Sequence, residues 1–196
     1  NRSTGLCLCE EESMSEHERK DDIPEKRNGA AREPVSLGGE KRWGRLALLT
    51  DLYELTMAAS YHEHGRNARA SFSLFARKYP PDRGYFVSAG LEEVLDYLEG
   101  FRFTNGDLDY LASTGMFSHA FLRYLEGLSF EGEVRAIPEG RLFFKDEPVL
   151  EVTAPIIQAQ LVETFVLNAV HFSVTAATKA ARCIHAAQGR KLVDFA

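Results

Sequence analysis

The ordered hydrophobic pattern begins at Leu46. Behind Thr50 and Asp51, residue types that cap helix starts, the apolar positions Leu52, Leu55 and Ala59 recur at helical spacing until Gly65 closes the run. Leu46 to Leu49 form a short apolar lead into that helix. Ala70, Phe72, Leu74 and Ala76 then alternate with Ser71, Ser73, Phe75 and Arg77, the period of a half-buried strand. Pro80-Pro81-Asp82-Arg83-Gly84 predicts a turn, with Tyr85 to Ser88 as the returning partner strand. Leu91, Val94, Leu95 and Leu98 predict a helix as far as Gly100, and shorter helices follow over 106–113 and 118–128. Strands are expected at 133–137, 141–144 and 149–152. Pro155 suits the first position of another helix, whose pattern runs through Ile157, Leu161, Thr164, Phe165 and Asn168. An alanine-rich helical stretch over about 173–188 is closed by Gly189, and LVDFA reads as the start of a strand.

This order gives an α/β fold class in two parts. Residues 45–153 form an α+β domain, and residues 154–196 read as the opening of a separate α/β layer, the first part of an unfinished barrel. Ahead of both, half of residues 10–45 are charged, and Pro24, Pro34 and Gly38-Gly39 interrupt any helix. Such a stretch buries too little apolar area to offset its ordering entropy, so residues 1–44 are expected to be a disordered charged extension. Trp43 marks where order begins.

Composition narrows the function. At 44% hydrophobic the 196 residues can build a core, and a net charge of -6 argues against nucleic acid as the main partner. Cys7, Cys9 and Cys183 fit neither a disulfide framework nor a four-ligand zinc site, which points to a reducing, cytoplasmic setting. No apolar run approaches the roughly 20 residues of a membrane helix. The first methionine is Met14 and the final KLVDFA stops inside an expected strand, so the sequence reads as a fragment of a longer chain.

Two clusters carry candidate chemistry. In the first, Asp51 and Tyr53 sit in the opening turn of the first helix, where the carboxylate offsets the helix dipole and the ring either covers a core edge or stacks on a flat ligand. In the second, Lys179 and Arg182 lie three residues apart on one helix face and can grip a phosphate or carboxylate together, with Thr178 adding a hydroxyl. Glu163, Thr164 and Asn168 stand upstream on the same stretch. Arg77 and Arg83 flank the first turn. The histidines, including His62, His64 and His171, show no metal-ligand spacing, and neither a P-loop nor GxGxxG is present.

The order TDLYELTMAASY resembles the opening signature of nicotinate phosphoribosyltransferases, in which LLTDLY leads into the first helix. RKYPPDRGY, PEG with PVLEV, and LVETFVLNAVHFSVTAATKAAR resemble later segments of that family, so the likeness spans residues 46–196. It implies an ATP-coupled ligase of NAD salvage that joins nicotinate to phosphoribosyl pyrophosphate, with magnesium and ATP, on a type II phosphoribosyltransferase barrel. It further implies that Tyr53, beside Asp51, stacks on nicotinate and reaches into the neighbouring subunit of a head-to-tail homodimer. Arg182, ahead of Lys179 and Thr178, then lies near the phosphoribosyl site. No catalytic residue is carried over, because the family's phosphohistidine and glycine-rich loops are expected beyond Ala196, and the polypeptide alone is expected to be inactive. Nicotinamide phosphoribosyltransferase is the alternative within the class, but its Ser-Tyr-Lys after TD differs from Leu52-Tyr53-Glu54. The alternative outside it is a non-catalytic module that pairs with a full-length subunit.

Overall fold

The structure is a computed structural model that describes residues 4–8 and 46–193. Helix α1, Leu52–Glu63, starts at Asp51 in extended conformation and ends where Gly65 turns left-handed, as its pattern predicts. Strand β2, Arg69–Ala76, occupies an interior position of a four-stranded antiparallel sheet with β1 (Thr4–Leu8), β6 (Pro148–Pro155) and β4 (Glu133–Ala136), ordered β1-β2-β6-β4. Its long partner β6, Pro148–Pro155, sets Phe72 opposite Val152 and Leu74 opposite Leu150, so the predicted apolar alternation faces the core. Strand β4, Glu133–Ala136, pairs with the other side of β6.

Three expectations need correction. Thr4–Leu8, assigned from the sequence to a disordered extension, is strand β1 on the free edge of β2. TGLCL carries no charge and precedes the charged stretch, so it can satisfy β2 backbone groups that would otherwise stay open. The remaining residues of that extension, 1–3 and 9–44, and Trp43 with them, lie outside the described residues. Second, the strand after the proline turn does not return to β2. Both edges of β2 are already taken, and β3, Phe86–Val87, pairs instead with β5, Leu142–Phe143, in a separate two-stranded sheet.

Third, the two C-terminal helices divide at Val162. Helix α5 is Ile156–Leu161 and α6 is one helix, Glu163–Ala187. An i,i+4 column of Val166, Val170, Val174 and Thr178 holds one buried face and carries α6 through the gap expected before Ser173. Gln188, left-handed at φ 49°, is its C-cap. Leu192 and Val193 are exposed and form no strand, and the rest of LVDFA lies outside the described residues.

The other helices match their patterns: α2, Leu91–Gly100; α3, Asn105–Ser113; and α4, His119–Glu126. One core gathers Leu55 and Ala58 of α1, Val94 and Leu98 of α2, and Leu161, Phe165, Val166 and Val170 of the last two helices. Packing is continuous across residues 153 and 154. The start of α2 is pressed onto α6 at Gly90, where φ is 96° and a Cβ would come within 2.9 Å of Ser173 Cβ. Only glycine meets both demands. From the PEG turn, Glu139 Oε1 accepts from the Gly90 and Leu91 N–H groups at 2.7 Å each, capping α2 from 48 residues away in sequence at the nearer of the two.

Candidate functional site

Tyr53 stands at the junction of α1 and the start of α6. Tyr53 is 47% exposed, and Leu49 just ahead of α1 and Leu52 and Met57 within it are exposed apolar neighbours in sequence. Beneath it, Glu54 is completely buried. A buried carboxylate needs donors, and three converge. Oε2 accepts from the Asp51 N–H at 3.0 Å and from the Thr50 hydroxyl, and Oε1 accepts from the Thr164 hydroxyl of α6 at 2.9 Å. The Tyr53 hydroxyl lies 3.5 Å from the same Oε1.

Glu163, first residue of α6, completes the group. It accepts from the Gln160 side chain at 2.9 Å and from the Tyr53 hydroxyl. Burial pushes the Glu54 carboxyl above the usual carboxylate range against the pull of its Thr50, Thr164 and Asp51 donors. Burial does the same to Glu163. The Tyr53 phenol is raised by partial burial, then by the charges of Glu163 and Glu54, so it stays a neutral donor. Its ring is free on one side while its hydroxyl is held between two acids.

Asp51 borders a shallow depression with Thr164, Asn168 and His171 of α6. The structure thus brings Asp51 and Tyr53 together with the first two turns of α6, a juxtaposition the sequence reading did not make. Glu54 was missed as well. Its signals were the capping-box spacing from Asp51 and its place beside Leu55 and Ala58 on the buried face of α1.

The second predicted cluster lies elsewhere. Thr178 is fully buried and its hydroxyl accepts from the Val87 N–H at 2.9 Å, so it ties α6 to β3. Lys179 and Arg182 are exposed beyond it. At 1.5 Å rise per residue, Arg182 is about 27 Å along α6 from Thr164. No nicotinate ring spans that distance, and Tyr53 and Arg182 of one chain cannot grip one such ring.

A cleft of about 240 Å³ opens between these ends of α6, floored by Phe75, Phe86 and Phe143 and rimmed by Lys78, Arg83 and His171. Arg83, weakly indicated by sequence, therefore faces a concave surface, whereas Arg77 is exposed outside it. Among the described residues no three His, Cys, Asp or Glu side chains cluster as metal ligands. Among them, too, no helix is long and apolar enough to cross a membrane.

A family model for the nicotinate phosphoribosyltransferase (NAPRTase) N-terminal domain matches residues 48–171. The nicotinate phosphoribosyltransferase pncB2 of Mycobacterium tuberculosis is 52% identical over 149 residues, covering 76% of this chain and 32% of that protein. That of Bacillus subtilis is 46% identical over 138 residues, covering 70% and 28%. The crystal structure of human nicotinic acid phosphoribosyltransferase is similar with a TM-score of 0.68 at 39% identity, covering 73% of this chain and 29% of that one. Mixed helix and sheet, in this order, thus make the N-terminal domain of a phosphoribosyltransferase. The chain belongs to the nicotinate phosphoribosyltransferase family. It spans less than a third of the length of the bacterial relatives, 32% and 28%.

Proposed function

We propose that this chain supplies the nicotinate-facing wall of an enzyme that makes nicotinate mononucleotide and pyrophosphate from nicotinate and phosphoribosyl pyrophosphate. The observation that carries the reading is the half-exposed Tyr53 ring with its hydroxyl held by Glu54 and Glu163. A ring presented in that way offers a fixed face on which a pyridine stacks, and stacking removes much of the orientational freedom the acceptor would otherwise have.

The reaction displaces pyrophosphate at the ribose anomeric carbon through a cationic, oxocarbenium-like transition state. The pyridine nitrogen forms the new bond and the departing oxygen carries away the electron pair. Lys179 and Arg182, paired on one face, are suited to the phosphate groups of the donor. The separation of these cations from Tyr53 favours a shared site, with the ring of one chain completing the cationic end of another in a head-to-tail homodimer. Magnesium and ATP, implied by the family resemblance, belong to the proposal. The described residues do not converge on a metal site. The exposed thiol of Cys183 fits a reducing, cytoplasmic setting.

The 196 residues alone are expected to give no turnover, because they cover so little of the relatives' length. Formation of nicotinate mononucleotide by the purified chain would overturn that expectation. A pairing role without catalysis is the second reading, favoured by the exposure of Leu49, Leu52, Tyr53 and Met57. Co-elution with a full-length homologue supports pairing in either case. Restored activity of a full-length partner whose own Tyr53 equivalent is removed supports the shared catalytic site, and co-elution without rescue leaves the pairing role alone standing.

A further inference from the structure

Capping alone does not explain the burial of Glu54. A capping-box acid ordinarily remains at the helix surface, where water shares its solvation. Here the side chain is closed off and spends one oxygen on the first turn of α1 and the other on Thr164, 110 residues away. Tyr97, stacked on Phe165 at 3.8 Å, lies close enough for its phenol to feel the Glu54 charge, and that phenol has no hydrogen-bond partner among the described residues. The carboxyl is therefore a joint between two helices, and the side chain before it in sequence is Tyr53.

We propose that Glu54 is a positioning residue. By locking the first turn of α1 to Thr164 and flanking the Tyr53 hydroxyl, it selects the single rotamer in which the ring faces outward for stacking. Thr164 is its counterpart on α6. The inference rests on Tyr53 being the stacking ring, but the rotamer claim can be read without any ligand.

The geometry makes a chemical demand on both residues. An ionised carboxylate is acceptor-only and takes every donor directed at it, whereas an amide whose N–H groups face α6 leaves the Thr164 and Tyr53 hydroxyls without this acceptor to donate to. Replacing the Thr164 hydroxyl by a methyl removes the inter-helix bond with little change of shape.

The test uses the full chain with its tyrosine rings labelled with carbon-13. Side-chain couplings and ring contacts should report one χ1 rotamer for Tyr53 in the unsubstituted protein. Thr164→Val and Glu54→Gln should each average those couplings while the other tyrosines keep theirs, and Thr164→Ser should restore the single rotamer. Unchanged Tyr53 couplings in a folded Thr164→Val chain, or averaged couplings in the unsubstituted one, overturn the proposal. Should Thr164→Val fail to fold, Glu54→Gln decides it on the same readout, with unchanged Tyr53 couplings overturning the proposal.

Nicotinate is then titrated into each chain. If two or three staggered rotamers share the population, the competent fraction falls correspondingly and apparent affinity weakens about two- to threefold in Thr164→Val. A Tyr53 shift with nicotinate supports the stacking role. No shift in the unsubstituted chain counts against that role alone, since the ligand-free couplings have already settled the positioning claim.

Discussion

The two ends of α6 have opposite surroundings. From Phe165 to Thr178 the helix buries a continuous face against α2 and β3, whereas residues 179–186 carry no buried side chain before Ala187. Phe172 already stands 76% exposed on the outer side, and Ile184 reaches 65%. One helix therefore serves as core at its start and as a projecting arm at its end. The difference separates residues that hold the fold from residues left available for a ligand or another chain, and it can be measured.

The largest effect expected is on the packed end. Phe165 lies parallel to Tyr97 with an interplanar angle of 9° inside the main core. Phe165→Ala should lower the unfolding free energy by about 3–5 kcal/mol, from lost burial plus the cavity left behind. Ile184→Ala, at the exposed end, should stay within about 0.5 kcal/mol. Urea unfolding of the two variants checks this, and similar losses would break the contrast.

A second effect, intermediate in size, comes from the polar joint at the start of α6. Burial raises the Glu54 carboxyl above its ordinary value of 4.5, so the folded state holds that proton more tightly than the unfolded chain. The stabilisation is fully present below the ordinary value and is lost as pH climbs from there through the raised folded value. Burial gives Glu163 the same sign. Urea midpoints taken between about pH 4.5 and pH 7 should therefore fall more steeply in the unsubstituted chain than in Glu54→Gln. A steeper fall in Glu54→Gln would show that the carboxyl is not held as its surroundings require.

These regions were unequally legible in the sequence. The spacing of Ile157, Leu161, Phe165 and Asn168 announced helix here and Tyr53 stood out by its motif, whereas the column Val166, Val170 and Val174 that makes α6 one helix went unread. Helix α2 matched its predicted span at both ends because Leu91, Val94 and Leu98 are local signals bounded by glycines. The local signals of Glu54 mark a capping acid on the buried face, but its bond to Thr164 was hidden, because no local periodicity reports a contact across 110 residues. The partner of β3 was hidden for a related reason. A proline turn normally predicts a hairpin, but the pairing depended on which edges of β2 were already filled. Thr178 looked like a ligand hydroxyl beside two cations, and only the approach of Val87 shows where that hydroxyl is engaged.

The smallest effect belongs to the projecting end, and there stability and binding should part company. Lys179 and Arg182 are exposed, and side chains in that situation contribute little to folding. Replacing both by alanine should shift the unfolding free energy by less than about 0.5 kcal/mol. If the pair grips phosphate, inorganic pyrophosphate at a concentration near its dissociation constant should stabilise the unsubstituted chain by about 0.4 kcal/mol. That increment should vanish in the double variant and shrink with added salt, because exposed charges are screened. Thr178→Val supplies the complementary case. It should cost stability without pyrophosphate, because the half-buried Val87 N–H loses its acceptor, while leaving the pyrophosphate increment intact. Retention of the increment by the alanine pair would remove Lys179 and Arg182 from the anion site. Its loss in Thr178→Val would return that hydroxyl to the ligand, against the bond it makes to β3.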